Sequence, residues 1–139
     1  MAATPPVDEE APNALGCSIA LLIGPVVAFG TALLHSILIR RPFDWGAEAY
    51  VLSFEALMVA APFLLIAMTG TRYKLAWLTA FTLTFAFWGY LLFDGVRYHW
   101  SGDTSGADIG LGLIMLASPI VITAATMGIY AWERSRQRR

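Results

Sequence analysis

The sequence predicts an all-α integral membrane protein, a four-helix transmembrane bundle, and three observations predict it. The first is composition: 58% of the 139 residues are hydrophobic and only 14% charged, against about 45 to 50% and about 25% in soluble domains. The second is distribution. Residues 15–39, 49–70, 75–93 and 109–132 make up 90 positions, where an even spread would put about 12 of the 19 charged residues, yet they hold one, Glu55. A soluble core helix keeps a charged face toward water, and these segments have none. The third is length, because each segment reaches the roughly 20 residues needed to cross about 30 Å of hydrocarbon.

The segments between the spans follow in order. Residues 1–14 (MAATPPVDEEAPNA) are Pro-rich and acidic and read as a disordered tail. With Asp8, Glu9 and Glu10 and no basic residue, they do not read as a cleaved signal peptide, so the first span is expected to be retained. In the loop Arg40 to Glu48, Pro42 stops one helix and Asp44 is placed to cap the next. The loop Thr71 to Lys74 is so short that the second and third helices are expected to form a tight antiparallel hairpin. Glycines and serines between Asp94 and Asp108 suit an exposed flexible loop. Residues 133–139 (ERSRQRR) form a basic tail.

Lys and Arg set the topology. Four spans put both tails and the Thr71–Lys74 loop on one side with six basic residues, against Arg40, Arg41 and Arg97 on the other. Both termini are therefore expected in the cytoplasm, in a bacterial inner membrane. Trp45, Tyr50, Tyr73, Trp77, Tyr98, Trp100, Tyr130 and Trp132 fall near span ends, where they read as an interfacial belt.

Several function classes are excluded. A net charge of −1 offers no field for nucleic acid, and the single cysteine, Cys17, cannot serve a dithiol redox reaction. The 49 residues outside the spans leave no room for a separate aqueous catalytic domain. No nucleophile stands with a base, no glycine loop cradles phosphate, and His35 and His99 lack the Cys or carboxylate company of a metal site. No enzyme activity, cofactor or metal is expected.

Five features remain that bear on function. Gly16, Ala20, Gly24, Ala28, Ala32 and Ser36 recur at every fourth position of the first span, a groove that lets another helix backbone come close. Its partner is either within the chain or another membrane protein. In the third span, Thr79, Thr82, Ala86 and Gly89 are expected to face protein, and Phe81, Phe85, Trp88 and Leu92 lipid. Pro25, Pro62 and Pro119 lie inside spans and are expected kink positions. Glu55 is costly to ionise facing lipid, so it should face the bundle. Glu48, Glu55, Pro62 and Thr69 are spaced by sevens and share one face, with Glu55 and Glu48 as the candidate proton or ion site; the alternative is a structural Glu55 near the headgroups, bonded to Arg40, Arg41 or a hydroxyl. A shift of 57 residues also lays Met58–Pro62 over Met115–Pro119, the mark of a tandem repeat or of similar helix composition.

The expected function is that of a small non-enzymatic multi-pass membrane protein acting through helix packing, as an accessory subunit or a homo-oligomer. Its partners would be the bilayer and other membrane chains or itself, with no nucleic acid. The alternative is a small oligomeric proton- or cation-coupled transporter or channel using Glu55.

Overall fold

The computed structural model describes residues 14–69, 73–102 and 109–137. Every regular element among them is a helix: α1 (Ala14–Leu38), α2 (Trp45–Thr69), α3 (Lys74–Ser101) and α4 (Ile109–Gln137). All four are long and apolar enough to cross a membrane, and together they form the four-helix transmembrane bundle read from the sequence.

Helix ends depart from the expected spans for a common reason. Charged residues mark where hydrocarbon ends, whereas a helix continues for as long as its backbone hydrogen bonds are made. α3 therefore runs two turns past Phe93 and stops at Gly102, which takes the left-handed conformation at φ 69°. The loop expected from Asp94 begins only there, and His99 is a helical residue. Likewise α4 carries most of the basic tail in helical form, with the Arg136 guanidinium 4.0 Å from the centre of the Trp132 ring. Of the acidic N-terminal segment, only Ala14 is described, and it opens α1; the rest lies outside the described residues. So do residues 70–72 and 103–108.

α1 closes before Pro42 through its own backbone. The Arg41 amide donates to the Ser36 carbonyl at 2.9 Å and the Arg40 amide to Ile37 at 3.2 Å, with Arg40 at φ 56°, the 6→1 closure of a Schellman end. α2 opens on Asp44 as the sequence suggests: its Oδ1 accepts from the Gly46 amide at 2.9 Å, and its carbonyl accepts from Glu48 at 3.0 Å. α3 is capped from elsewhere in the chain. Tyr73 makes no side-chain cap; instead the Glu133 carboxylate, in α4, accepts from the amides of Leu75 at 3.3 Å and Ala76 at 3.0 Å. An acceptor with negative charge satisfies orphan donors there and complements the positive end of the helix dipole.

The α1 ladder is used within the chain. Gly16, Ala20, Gly24, Ala28 and Ser36 are buried and Ala32 is half-buried. At Gly24 the two backbones meet: an added Cβ would collide with the Ala56 carbonyl oxygen and stand 3.1 Å from the Ala60 Cβ. α1 with α2 is the most extensive helix pair and α3 with α4 the next, while α3 lies on α1 and α4 on α2. Of the pairs that touch, α2 and α3 do so least. They pack where Phe63 meets Trp77 and Phe81 at ring distances of 6.1 and 5.0 Å, and the short loop expected to join them lies largely outside the described residues. A symmetric repeat would make α1–α4 equivalent to α2–α3, yet among the described residues α1 and α4 share no contact.

The faces of α3 differ from those expected, although Phe85 is exposed as expected. Ala76, Ala80, Thr84 and Trp88 are buried, whereas Thr82, Ala86 and Gly89 are exposed. The small buried residues of α3 are thus a different set, Ala76, Ala80 and Thr84, and Ala80 packs in one cluster with Ala20, Phe63 and Ile66. Trp88, expected toward lipid, joins Val27 and Val59 in a second cluster. The aromatic belt also divides. Trp45, Tyr50, Trp100 and Trp132 are exposed, but Tyr73 is buried with its ring 4.6 Å from Tyr130, and Trp77 packs inward.

Unfolding in detergent should rank these contacts. Gly24→Ala forces two backbones apart and is expected to destabilise by about 2 to 3 kcal/mol. Glu133→Ala should cost about 1 kcal/mol. Gly30→Ala, where a Cβ meets nothing within 4 Å, should stay within about 0.5 kcal/mol of the parent.

Candidate functional site

Glu48 and Glu55 lie seven residues apart on α2, about 10 Å along its axis and nearly on one line. Both are half-buried. They line one cavity of about 360 Å³, into which α1 contributes Thr31 and His35 and α3 contributes Trp88 and Gly95. The His35 ring fits there because residue 95 lacks a side chain: a Cβ on Gly95 would come within 3.2 Å of its Nε2. Two carboxylates and one imidazole therefore share a space to which no described lysine or arginine contributes.

A second cavity, of about 310 Å³, continues from Glu55 toward the middle of the bundle, between α2, α3 and α4. Val51, Glu55, Trp88 and Met115 line both spaces, so they form the waist between them. Beyond the waist the walls are mostly apolar, with Pro62, Met58, Pro119 and Ile122 among them. Two hydroxyls interrupt them. Pro119 has no amide hydrogen to offer the Met115 carbonyl four residues back, and Ser118 Oγ donates to that carbonyl at 2.9 Å. Thr84 is 1% exposed and its Oγ1 has no hydrogen-bond partner among the described residues. The Glu55 carboxylate likewise makes no hydrogen bond or ion pair with any described residue. Neither Arg40 nor Arg41 lines either cavity, so neither neutralises it there.

Of the face spaced by sevens, Glu48, Glu55 and Pro62 follow the two cavities in succession. Thr69 does not reach them, and its hydroxyl donates to the Ile66 carbonyl at 3.0 Å. Pro25, Pro62 and Pro119 lie inside helices that continue through them. Pro62 and Pro119 face the same cavity, and so do Met58 and Met115. The two segments matched by the shift of 57 residues thus oppose each other across one space. His99 is exposed in the last turn of α3, against Trp100, and does not line the cavity that holds His35. Among the described residues no three His, Cys, Asp or Glu side chains gather as a metal site.

Sequence reasoning named the carboxylates and the prolines but not Thr31, His35, Thr84, Trp88 or Met115 as their neighbours. A signal for two of these was present. Thr31 and His35 stand four apart beside the small-residue ladder, so a helix that presents Ala28 and Ala32 to α2 carries them to the edge of the same contact.

The chain matches no protein-family model, no curated protein and no solved structure.

Water access along this face can be measured. In a Cys17→Ala background, a membrane-impermeant charged maleimide is expected to label Glu48→Cys quickly and Glu55→Cys more slowly. Leu57→Cys, on the outer surface of α2, should remain unlabelled in lipid. Equal labelling at positions 55 and 57 would mean that no aqueous route reaches the carboxylate.

Proposed function

We propose that this four-helix membrane protein is a non-enzymatic carrier or channel for protons or small cations, with Glu55 as the binding carboxylate and Glu48 at the mouth of its cavity. The supporting observation is the half-buried Glu55 side chain, without a protein partner among the described residues, in the wall shared by two adjoining cavities. A carboxylate kept within the apolar span is costly, and its use is to exchange a proton or a cation. Glu48 and His35 extend the site toward the end of the bundle where α1 ends and α2 begins. Accessory-subunit packing through the α1 ladder has less support, because α2 of the same chain occupies that face. Another membrane chain, or a second copy, would need a different surface.

The flux experiment is direct. Proteoliposomes holding the wild-type protein are expected to show proton or cation flux that Glu55→Gln reduces at least tenfold while keeping shape and folding. Wild-type vesicles no leakier than empty ones would defeat the carrier reading.

Orientation is part of the same proposal. The excess of Lys and Arg on the side of the Thr71–Lys74 loop and the C-terminal arginines supports cytoplasmic termini in a bacterial inner membrane, so the mouth at Glu48 and His35 faces outward. A reporter active only in the cytoplasm, fused after Arg139, should be active. An inactive fusion would mean that Arg40 and Arg41 set the topology.

A further inference from the structure

The cavity beyond the waist does not suit a small inorganic ion. Hard cations take about six or more oxygen ligands or keep their water, whereas this chamber offers one carboxylate and two hydroxyls, one of which is already donating to Met115. Its volume of about 310 Å³ instead reaches the range of pockets for organic ligands, about 300 to 1,000 Å³. Its walls are apolar, and Met58 and Met115 are unbranched side chains that adapt to varied shapes. Both the Glu55 carboxylate and the buried indole of Trp88 line it, a charge and an aromatic ring, groups that attract a positive charge. Its rim is also informative. Val51, Phe54 and Leu116 line the cavity and are 53%, 48% and 63% exposed, so the mouth opens sideways to the hydrocarbon, where a lipophilic ligand concentrates.

We propose that this chamber binds a lipophilic organic cation, with its positive group between Glu55 and Trp88 and its apolar body in the space between α2, α3 and α4. The Thr84 hydroxyl, buried without a partner, supplies a donor for any acceptor that the body carries. This assignment rests on the reading of Glu55 as a cation-binding carboxylate and names the class of substrate. The two cavities then divide the work: the one lined by Glu48 and His35 admits protons and water from the end of the bundle, and the apolar one admits the organic cation from the bilayer. Both ligands meet at one carboxylate, where they compete.

The test uses the full chain in lipid nanodiscs and a pair of probes of nearly equal shape, 4-fluorobenzyl-trimethylammonium and its neutral carbon analogue 4-fluoro-neopentylbenzene, read by fluorine NMR against empty nanodiscs. Saturable binding of the cation is expected, at least tenfold tighter than that of the neutral analogue. Glu55→Gln should weaken the cation at least tenfold and leave the neutral probe unchanged. Ile122→Trp, which fills the chamber away from the carboxylate, should weaken both. Leu116→Trp narrows the mouth at an exposed position; it should slow binding of both, and it decides the matter if Ile122→Trp unfolds. No saturable cation binding in the wild type, or cation binding that neither Glu55→Gln nor the tryptophan variants alter, would overturn the proposal. Proton flux without cation binding would remove this pocket and leave the carrier reading standing. Cation binding without flux would do the reverse.

Discussion

Contact between the α1 and α2 backbones at Gly24 is the constraint on which the rest of the bundle depends. Lipid is as apolar as leucine, so no hydrophobic force drives these helices together, and close packing must do it. The ladder from Gly16 to Ser36 allows that approach, and Ala56 and Ala60 receive it. Once α1 occupies this side of α2, the neighbouring side opens: Glu48 and Glu55 border a space that α1 reaches through Thr31 and His35, and from Glu55 to Pro62 it is left to α3 and α4. Those helices bring large side chains there, Trp88 and Met115, which hold the backbones farther apart. Tight packing on one side of α2 and open space on the other have one origin.

The carboxylates derive their character from this asymmetry. Had Glu55 fallen on the α1 side, it would have met the glycines and alanines of the ladder at close approach, with no room for a ligand. On the open side it meets space, two hydroxyl-bearing helices and an indole. A polar atom without a partner inside a membrane protein carries a free-energy cost, and Thr84 Oγ1 and Glu55 line one cavity. Their joint placement, more than either residue alone, distinguishes the chamber from an ordinary packing gap.

The architecture was legible because charge depletion over four long segments has one physical interpretation. The α1 ladder was legible as a close contact, though not its partner, since small residues at intervals of four describe a groove and not what fills it. The site was half legible. Glu55 stands out because it is the one charge in the spans, and the period of seven sets Glu48 above it. Trp88 was placed toward lipid because bulk was taken as the mark of the outer face. In a membrane, size does not separate inside from outside: Gly89 and Ala86 face out and Trp88 faces in. The extension of α3 to Ser101 could not be read either, because hydropathy reports the hydrocarbon boundary and not the end of backbone hydrogen bonding. Glu133 was invisible as a cap for a related reason, since its partners lie 57 and 58 residues earlier in the chain.

That distant cap bears on how the chain is made. During synthesis the first turn of α3 leaves the ribosome long before Glu133 does, so α3 enters the bilayer with the amides of Leu75 and Ala76 still lacking their acceptor. The final residues of α4 must arrive before that end is complete, and Tyr130 arrives with them to cover Tyr73. Assembly therefore finishes as a clasp closed by the last helix: a nascent chain released before Glu133 would hold all the groups of the α1–α2 contact and yet lack the lock that joins the other pair.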